Sequence, residues 1–217
     1  MWTCAVKRFN NVRYEMARDD LMGRPRTFDV DTVLDAALCV FWRKGYEGAS
    51  YSDLTYATGV ERPALYAAFG NKEALFRRAL QRYYEHYMDF IPVALEQPTS
   101  RDVAAHILRG GADLNTRYPD HTGCLGINGV LAGSDEAEPI RRVLIDARAS
   151  AEALLCERFE RAKQEGDLPD AVNCAGLAAF VTAVLHGMAV QAKAGIGKDV
   201  LDAVVEQALA SWPSKAM

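Results

Sequence analysis

The sequence predicts an all-α protein, with a short helix-turn-helix unit near its N-terminus and a larger helical body behind it. Three observations carry this. No stretch of Val, Ile, Thr or Tyr alternates with the period of two that a half-buried strand shows. Apolar residues instead recur at spacings of three and four almost throughout. Short runs are bounded by Ser, Asp or Asn at their starts and by Gly at their ends, the residues that cap helices.

Residues 1–24 read as an irregular arm. Helical periodicity begins soon after "MGRPRTFD", so Met22 is an alternative start that makes residues 1–21 an upstream extension; an ordered arm is the other reading. The first helix is expected over Val30–Lys44, with Asp29 as N-cap and Gly45 just past its end. Val33, Leu34, Ala37, Leu38, Phe41 and Trp42 form its core-facing stripe. A second, short helix starts near Ser50, with Asp53 in its first turn, and stops before Gly59. The third spans Arg62–Phe69 and carries Pro63 in its first turn, where the missing N–H costs nothing. Gly70-Asn71 breaks the chain, and Asn71 caps a fourth helix expected to continue to about Pro92. A fifth runs from about Arg101 to Thr116, followed by a Gly-interrupted helix in "CLGINGVLAGS". A long helix is expected over Glu136–Glu165, and the last two over Ala171–Ala194 and Asp199–Trp212, joined by "GIGK".

A chain of 217 residues, half hydrophobic and a quarter charged, has enough apolar material for a sizeable core. Its start lacks the apolar stretch of a secretory signal, and no apolar run reaches the ~20 residues of a bilayer span. Five scattered cysteines without a CxxC pair suit reduced thiols and a cytoplasmic setting. The net charge of −4 is uneven: residues 1–82 hold 13 Lys+Arg and 10 Asp+Glu, whereas residues 83–217 hold 12 and 19. A basic front on an acidic body points to an anionic partner at the front.

The stretch "GVERPALYAAFGNKEALF" holds the most information. A helix of eight residues buries little and is marginal alone, so one this tightly punctuated exists to be presented to something. Ser50–Phe69 is helix, Gly-containing turn, helix, the arrangement whose second helix enters the DNA major groove. Leu54, Ala57, Val60 and Leu65 are expected to face the first helix, leaving Glu61, Arg62, Pro63, Ala64, Tyr66 and Ala67 outside. Over Phe28–Phe76 the sequence resembles the N-terminal domain of the TetR/AcrR family, the tetracycline-repressor-like transcriptional regulators. The resemblance rests on "FWRKGYEGAS", "DL" in the second helix, "GV", "LYAAF" and "KEALF", in register and without a gap. Thr55 stands where the family often has Ala, and Pro63-Ala64 replaces a more usual Gly-Thr or Gly-Ser, so no operator sequence carries over.

Site residues follow. Ser50, Tyr51 and Ser52 sit at the start of the second helix, where free N–H groups and hydroxyls suit a phosphate. Arg62 is the candidate base reader, because a guanidinium bonds guanine O6 and N7 together. Pro63 and Ala64 lie beside it on the reading helix. The resemblance implies that Tyr66 reaches the DNA backbone and that Lys72 contacts phosphate. Arg24 and Arg26 are either a minor-groove arm or a solvated tail. The organisation expected is an arm over 1–24, a DNA-binding domain over 25–76 and a regulatory and dimerisation domain over 77–217.

In the body, Ala175, Ala179, Ala183 and Gly187 recur every four residues, a ridge that permits close helix packing, with Phe180, Val184 and Met188 filling around it. The resemblance implies a homodimer through 171–212 and a small-molecule effector site between interface and DNA-binding domain. Tyr83, Tyr87, His106, Asn128 and His186 are its candidate lining. The acidic balance and the lack of evident internal cations favour a neutral or cationic effector. Cys124, starting a helix after a loop, is a candidate thiol sensor; an inert buried thiol is the alternative.

Enzyme motifs do not fit. A phosphate-binding loop at "AKAGIGKD" would need Gly at Ala192 and Ser or Thr at Asp199. The four histidines show no metal-binding HExxH spacing and no GxSxG occurs, so neither a catalytic site, a metal nor a cofactor is expected. The reading is a DNA-binding repressor released from a palindromic double-stranded operator by a small molecule. A thiol-based redox or electrophile sensor on the same scaffold, or a helical protein that binds ligand and not DNA, stays open.

Overall fold

A computed structural model describes residues 28–130 and 133–213. The expected arm at 1–24, with Arg24 and Arg26, lies outside them. Among the described residues the regular structure is helical throughout.

Helix α1, Val30–Gly48, is capped by Asp29, whose carboxylate accepts the Thr32 N–H at 2.8 Å. Its regular part ends where expected, because Gly45 adopts φ 72° and interrupts the ladder. Helix α2, Tyr51–Thr58, carries a full capping box: Ser50 Oγ accepts the Asp53 N–H and Asp53 accepts the Ser50 N–H. Gly59 closes it in the left-handed region at φ 66°, donating its N–H to Thr55 O. Helix α3, Arg62–Phe69, and α4, Lys72–Tyr87 with Asn71 as its cap, follow as expected at their starts.

The fourth helix stops short of the expected Pro92. The chain bends at Met88, and Phe90–Leu95 forms a separate helix, α5, with Pro92 inside its first turn. There an N–H has no intrahelical partner, so the Pro costs nothing. The body continues with α6 (Ser100–Arg117), α7 (Leu125–Val130), α8 (Glu138–Gln164), α9 (Cys174–Lys193) and α10 (Lys198–Ala210). Gly195, at φ 92° just after α9, ends that helix, as the rejection of a phosphate loop requires.

Two cores form. One gathers α1–α4 around Phe41, Trp42, Leu54, Leu65 and Phe76, and draws in Leu125, Ile140 and Leu144 from the body. The other is built on α6, against which α5, α9 and α10 pack. Trp42 joins α1 to the body. Its indole is fully buried, Nε1 donates to Gly123 O at 2.7 Å, and the rings of Tyr83, Tyr87, Tyr118 and His121 surround it with centroids 4.7–5.8 Å away. Burying that much aromatic surface at one junction holds α1 to the body.

Three expectations are corrected. Ala57 faces solvent, not α1, because Leu54 and Thr58 set the inward face of α2 and Ala57 falls beside it. The expectation that no run could span a bilayer also fails. Helix α9, 20 residues with mean hydropathy 1.6, is long and apolar enough by length and composition, and only 28% of its 18-residue apolar window is buried. Its Ala and Gly content hid this from a search for large apolar residues. Ala178, Val181 and Met188 of α9 are buried against the body, whereas Ala175, Ala179, Ala183 and Gly187 are exposed along one side. Met188 thus packs inward and does not fill around the ridge as expected.

Candidate nucleic-acid interface and internal cavity

Helix α3 buries only Leu65 and Phe69, which seat it on the α1–α4 core. Glu61, Arg62, Pro63, Tyr66 and Ala67 are exposed; Ala64, expected outside, is half-buried against that core. Arg62 is not extended. Its guanidinium lies 4.0 Å from the ring centroid of Tyr51 and donates to the Tyr66 hydroxyl at 3.1 Å. Tyr51 and Tyr66 stack at 5.2 Å, and their hydroxyls are hydrogen-bonded to each other. The Tyr51 hydroxyl also accepts the backbone N–H of Lys72 at 3.0 Å. One aromatic pair therefore ties together the starts of α2 and α4 and the exposed face of α3.

The electrostatics follow from these contacts. Burial and the bond to Tyr66 push the Tyr51 phenol up to about 12. The bonds from Tyr51 and Arg62 lower that of Tyr66. The Lys72 ammonium sits 4.7 Å from the Tyr46 ring; burial lowers its pKa, while Glu136 and Glu47 pull it back up. Ser52 is exposed. Ser50 is exposed too, but its hydroxyl donates to Asp53 at 2.7 Å, so it is committed to the cap and only backbone N–H groups remain free there. The Lys44 ammonium and the bonds from Ser50 hold the Asp53 carboxyl well below the usual range. Tyr56, 93% exposed on α2, was missed: it lies off the apolar stripe and belongs to no motif.

In the body a cavity of about 110 Å³ opens between α4, α5, α6, α7, α8 and α9. His186 lines it as expected, and Cys124 lines it too. Tyr87, His106 and Asn128 do not, and Tyr83 borders only a smaller neighbouring void. The physical reason is Trp42. Tyr83 and Tyr87 are spent on its ring, and Asn128 Nδ2 donates to Trp42 O at 3.3 Å. His106 is half-buried on α6, where its neighbour Ile107 takes the lining position. The Cys124 thiol instead accepts the Tyr83 hydroxyl at 3.5 Å, while burial pushes the Tyr83 phenol well up.

The premise that internal cations are lacking is also corrected. Arg148 of α8 lines the cavity, and its Nη2 donates to His186 Nδ1 at 3.0 Å. Nothing local marks Arg148 as internal: it and Glu152 stand four apart on a long helix rich in charges. Burial first, and then the Arg148 charge, bring the His186 pKa down to about 4, so its ring is neutral near pH 7. Among the described residues no group of three or more His, Cys, Asp or Glu is placed to hold a metal ion.

Comparison with known proteins places this geometry. A family model for bacterial regulatory proteins of the tetR family matches residues 33–79, and one for a tetracyclin repressor-like C-terminal domain matches residues 105–208. The HTH-type transcriptional repressor ComR of Escherichia coli (strain K12) is 32% identical over 193 residues, which cover 88% of this chain and 92% of ComR. The chain belongs to the tetR family of bacterial regulatory proteins.

A second relative is similar over a shorter span: the HTH-type transcriptional repressor BdcR of the same strain, 29% identical over 174 residues, 80% of this chain and 83% of BdcR. Among solved structures, a cysteine mutant of the TetR family transcriptional regulator CifR, complexed with 26bp double-strand operator DNA, has a TM-score of 0.82 at 41% identity. It covers 88% of this chain and 100% of the CifR chain. The first tetR-family match takes in α2, α3, most of α1 and the first half of α4. Tyr84, Met88, Ile91 and Leu95, which line one side of the cavity, fall between the two matches.

Proposed function

We propose that the protein is a homodimeric, DNA-binding transcriptional repressor of the cytoplasm, released from a palindromic operator by a small molecule bound in the body. The observation that carries this is the exposed face of α3, held in place by the Tyr51–Tyr66 pair and presenting Arg62, Pro63, Tyr66 and Ala67, with Ala64 half-buried at its edge. In this reading residues 25–76 bind DNA and residues 77–217 regulate and dimerise. Helix α3 enters the major groove, Arg62 reads a base edge, the start of α2 at Tyr51 and Ser52 positions the phosphates together with Tyr66 and Lys72, and Ser50 acts through the cap that presents that helix start. The repressors ComR and BdcR and the operator complex of CifR support it.

The dimer uses the exposed side of α9 and α10. Phe180, Val190, Val200 and Val204 are 40–55% exposed in the single chain, beside the small-residue ridge. A contiguous apolar face of this kind marks an association surface, and pairing two copies there spaces two reading helices for two half-sites.

The switch runs through α7. Cys124, Gly126 and Ile127 line the cavity, and the same short segment holds α1 through Gly123 O and Asn128 to Trp42. Lys193 of α9 adds a bond to Arg43 O, and Glu47 accepts the N–H groups of Gly133 and Ser134. A ligand that prefers a different position of α7 biases α1, and with it the spacing of the reading helices. A second reading has one observation in its favour: the Cys124 sulfur lines the cavity, so an electrophile or oxidant that enters meets a thiol.

The test is selection of bound duplexes from a genomic fragment library by the purified protein. The expected result is an inverted repeat with half-sites spaced by helical turns. Recovery of fragments without any shared sequence would leave the fold as a ligand-binding scaffold.

A further inference from the structure

Arg148 is poorly satisfied for a guanidinium turned into an apolar cavity. Its Nη2 bonds to the neutral ring of His186, and its Nε is buried without a hydrogen-bond partner. A guanidinium offers five N–H donors in a planar fork. Among the described residues no carboxylate lies within ion-pairing distance of it, although Glu152, one turn further along α8, lines the same cavity. The remaining walls, including Met88, Ile91, Leu155 and Leu185, are apolar. An uncompensated charge in such surroundings is costly and persists where something else completes it.

From this juxtaposition we infer that the cavity takes an apolar molecule bearing one carboxylate, or a comparable planar oxyanion, which Arg148 pairs with through its fork. The inference rests on the reading of this cavity as the effector site and deepens it by naming the chemical class. The geometry suits it in three ways. A carboxylate accepts two parallel N–H bonds from a guanidinium, which a neutral hydroxyl does not. His186 accepts from Arg148 at Nδ1, so its own proton sits on Nε2 and adds a donor at the cavity wall. Glu152, which lines the same cavity, disfavours a second negative charge on the ligand.

The test compares phenylbutyrate with phenylbutanol, which share an apolar body and differ at the head, by titration calorimetry on the full chain near neutral pH and without DNA. The native protein is expected to bind the acid at least about tenfold more tightly than the alcohol. Arg148→Met should erase that preference while leaving the alcohol's affinity in place, and Arg148→Lys, which keeps the charge, should retain part of it. Equal affinities in the native protein, a preference for the alcohol, no binding of the acid at millimolar concentration, or an acid preference that survives Arg148→Met would each overturn the inference. The native comparison decides the matter even where a variant does not fold. Release of operator is read separately: an acid that binds with the stated preference but leaves operator affinity unchanged contradicts the effector reading alone.

Discussion

The guanidinium of Arg62 rests 4.0 Å from the centroid of the Tyr51 ring, so the residue proposed to read a base is docked on the residue that begins the preceding helix. Stacking of this kind restricts a long side chain to few conformations before it meets its partner. Arg62→Ala should therefore relax preference at one base position, by roughly 5- to 150-fold, with little change at the others. Tyr51→Leu should weaken discrimination at the same position, because it removes the platform and leaves the charge. Competition titrations with single-base operator variants read both effects. An unchanged preference profile in both variants would reassign the reading residue.

The dimer proposal rests on a ridge that the single chain leaves bare. Ala179→Arg places a charge at its centre, and an unpaired charge buried at a close helix contact costs about 3–5 kcal/mol. Light scattering should show a dimer for the native protein and a folded monomer for the variant. A variant that stays dimeric would remove α9 from the interface.

Stability should fall on mild acidification, through His186. Its folded pKa, about 4, lies below the ordinary value of 6.5, so the unfolded chain takes up the proton first. The neutral ring's contribution is fully present above pH 6.5 and is lost progressively as pH falls towards 4. The loss amounts to roughly 3 kcal/mol at most. His121, whose pKa burial also lowers, acts in the same direction, so the comparison needs a variant. Denaturant midpoints at pH 7 and pH 5 should converge in His186→Gln relative to native protein. An identical pH dependence in the two proteins would contradict the assignment.

Trp42 is the joint between α1 and the body. Trp42→Phe keeps the ring but leaves Gly123 O without its buried donor, a loss of about 1–3 kcal/mol. If α7 couples cavity to α1 through this bond, the variant should still bind operator yet respond less to any ligand that releases the native protein. A variant with full release would move the coupling to the Lys193 and Glu47 contacts.

Much of this was legible in the sequence because local signals and tertiary structure agree at the front of the chain. Asp29, Ser50, Asn71 and Gly59 each cap or end a helix where their type requires, and α3 matches its expected bounds to the residue. The cavity was less legible. Tyr83 and Tyr87 have the spacing of a pocket wall, but the long-range demand of Trp42 claims both rings. Nothing local marks Arg148 as internal on a helix rich in charges; only the approach of α9 turns it inward against His186. Pro92 was taken as the end of a helix, where the fold uses it near the start of another.

The central claim, that α3 and its supports form a DNA-binding surface, is tested most directly by fluorescence anisotropy with the selected operator across a range of salt concentrations. The account predicts tight binding whose logarithm falls linearly with the logarithm of salt, since phosphate contacts release counterions. Lys72→Ala should weaken binding evenly across sequences and flatten that slope by about one. Affinity that does not depend on salt, or that is the same for operator and scrambled duplex, would contradict it.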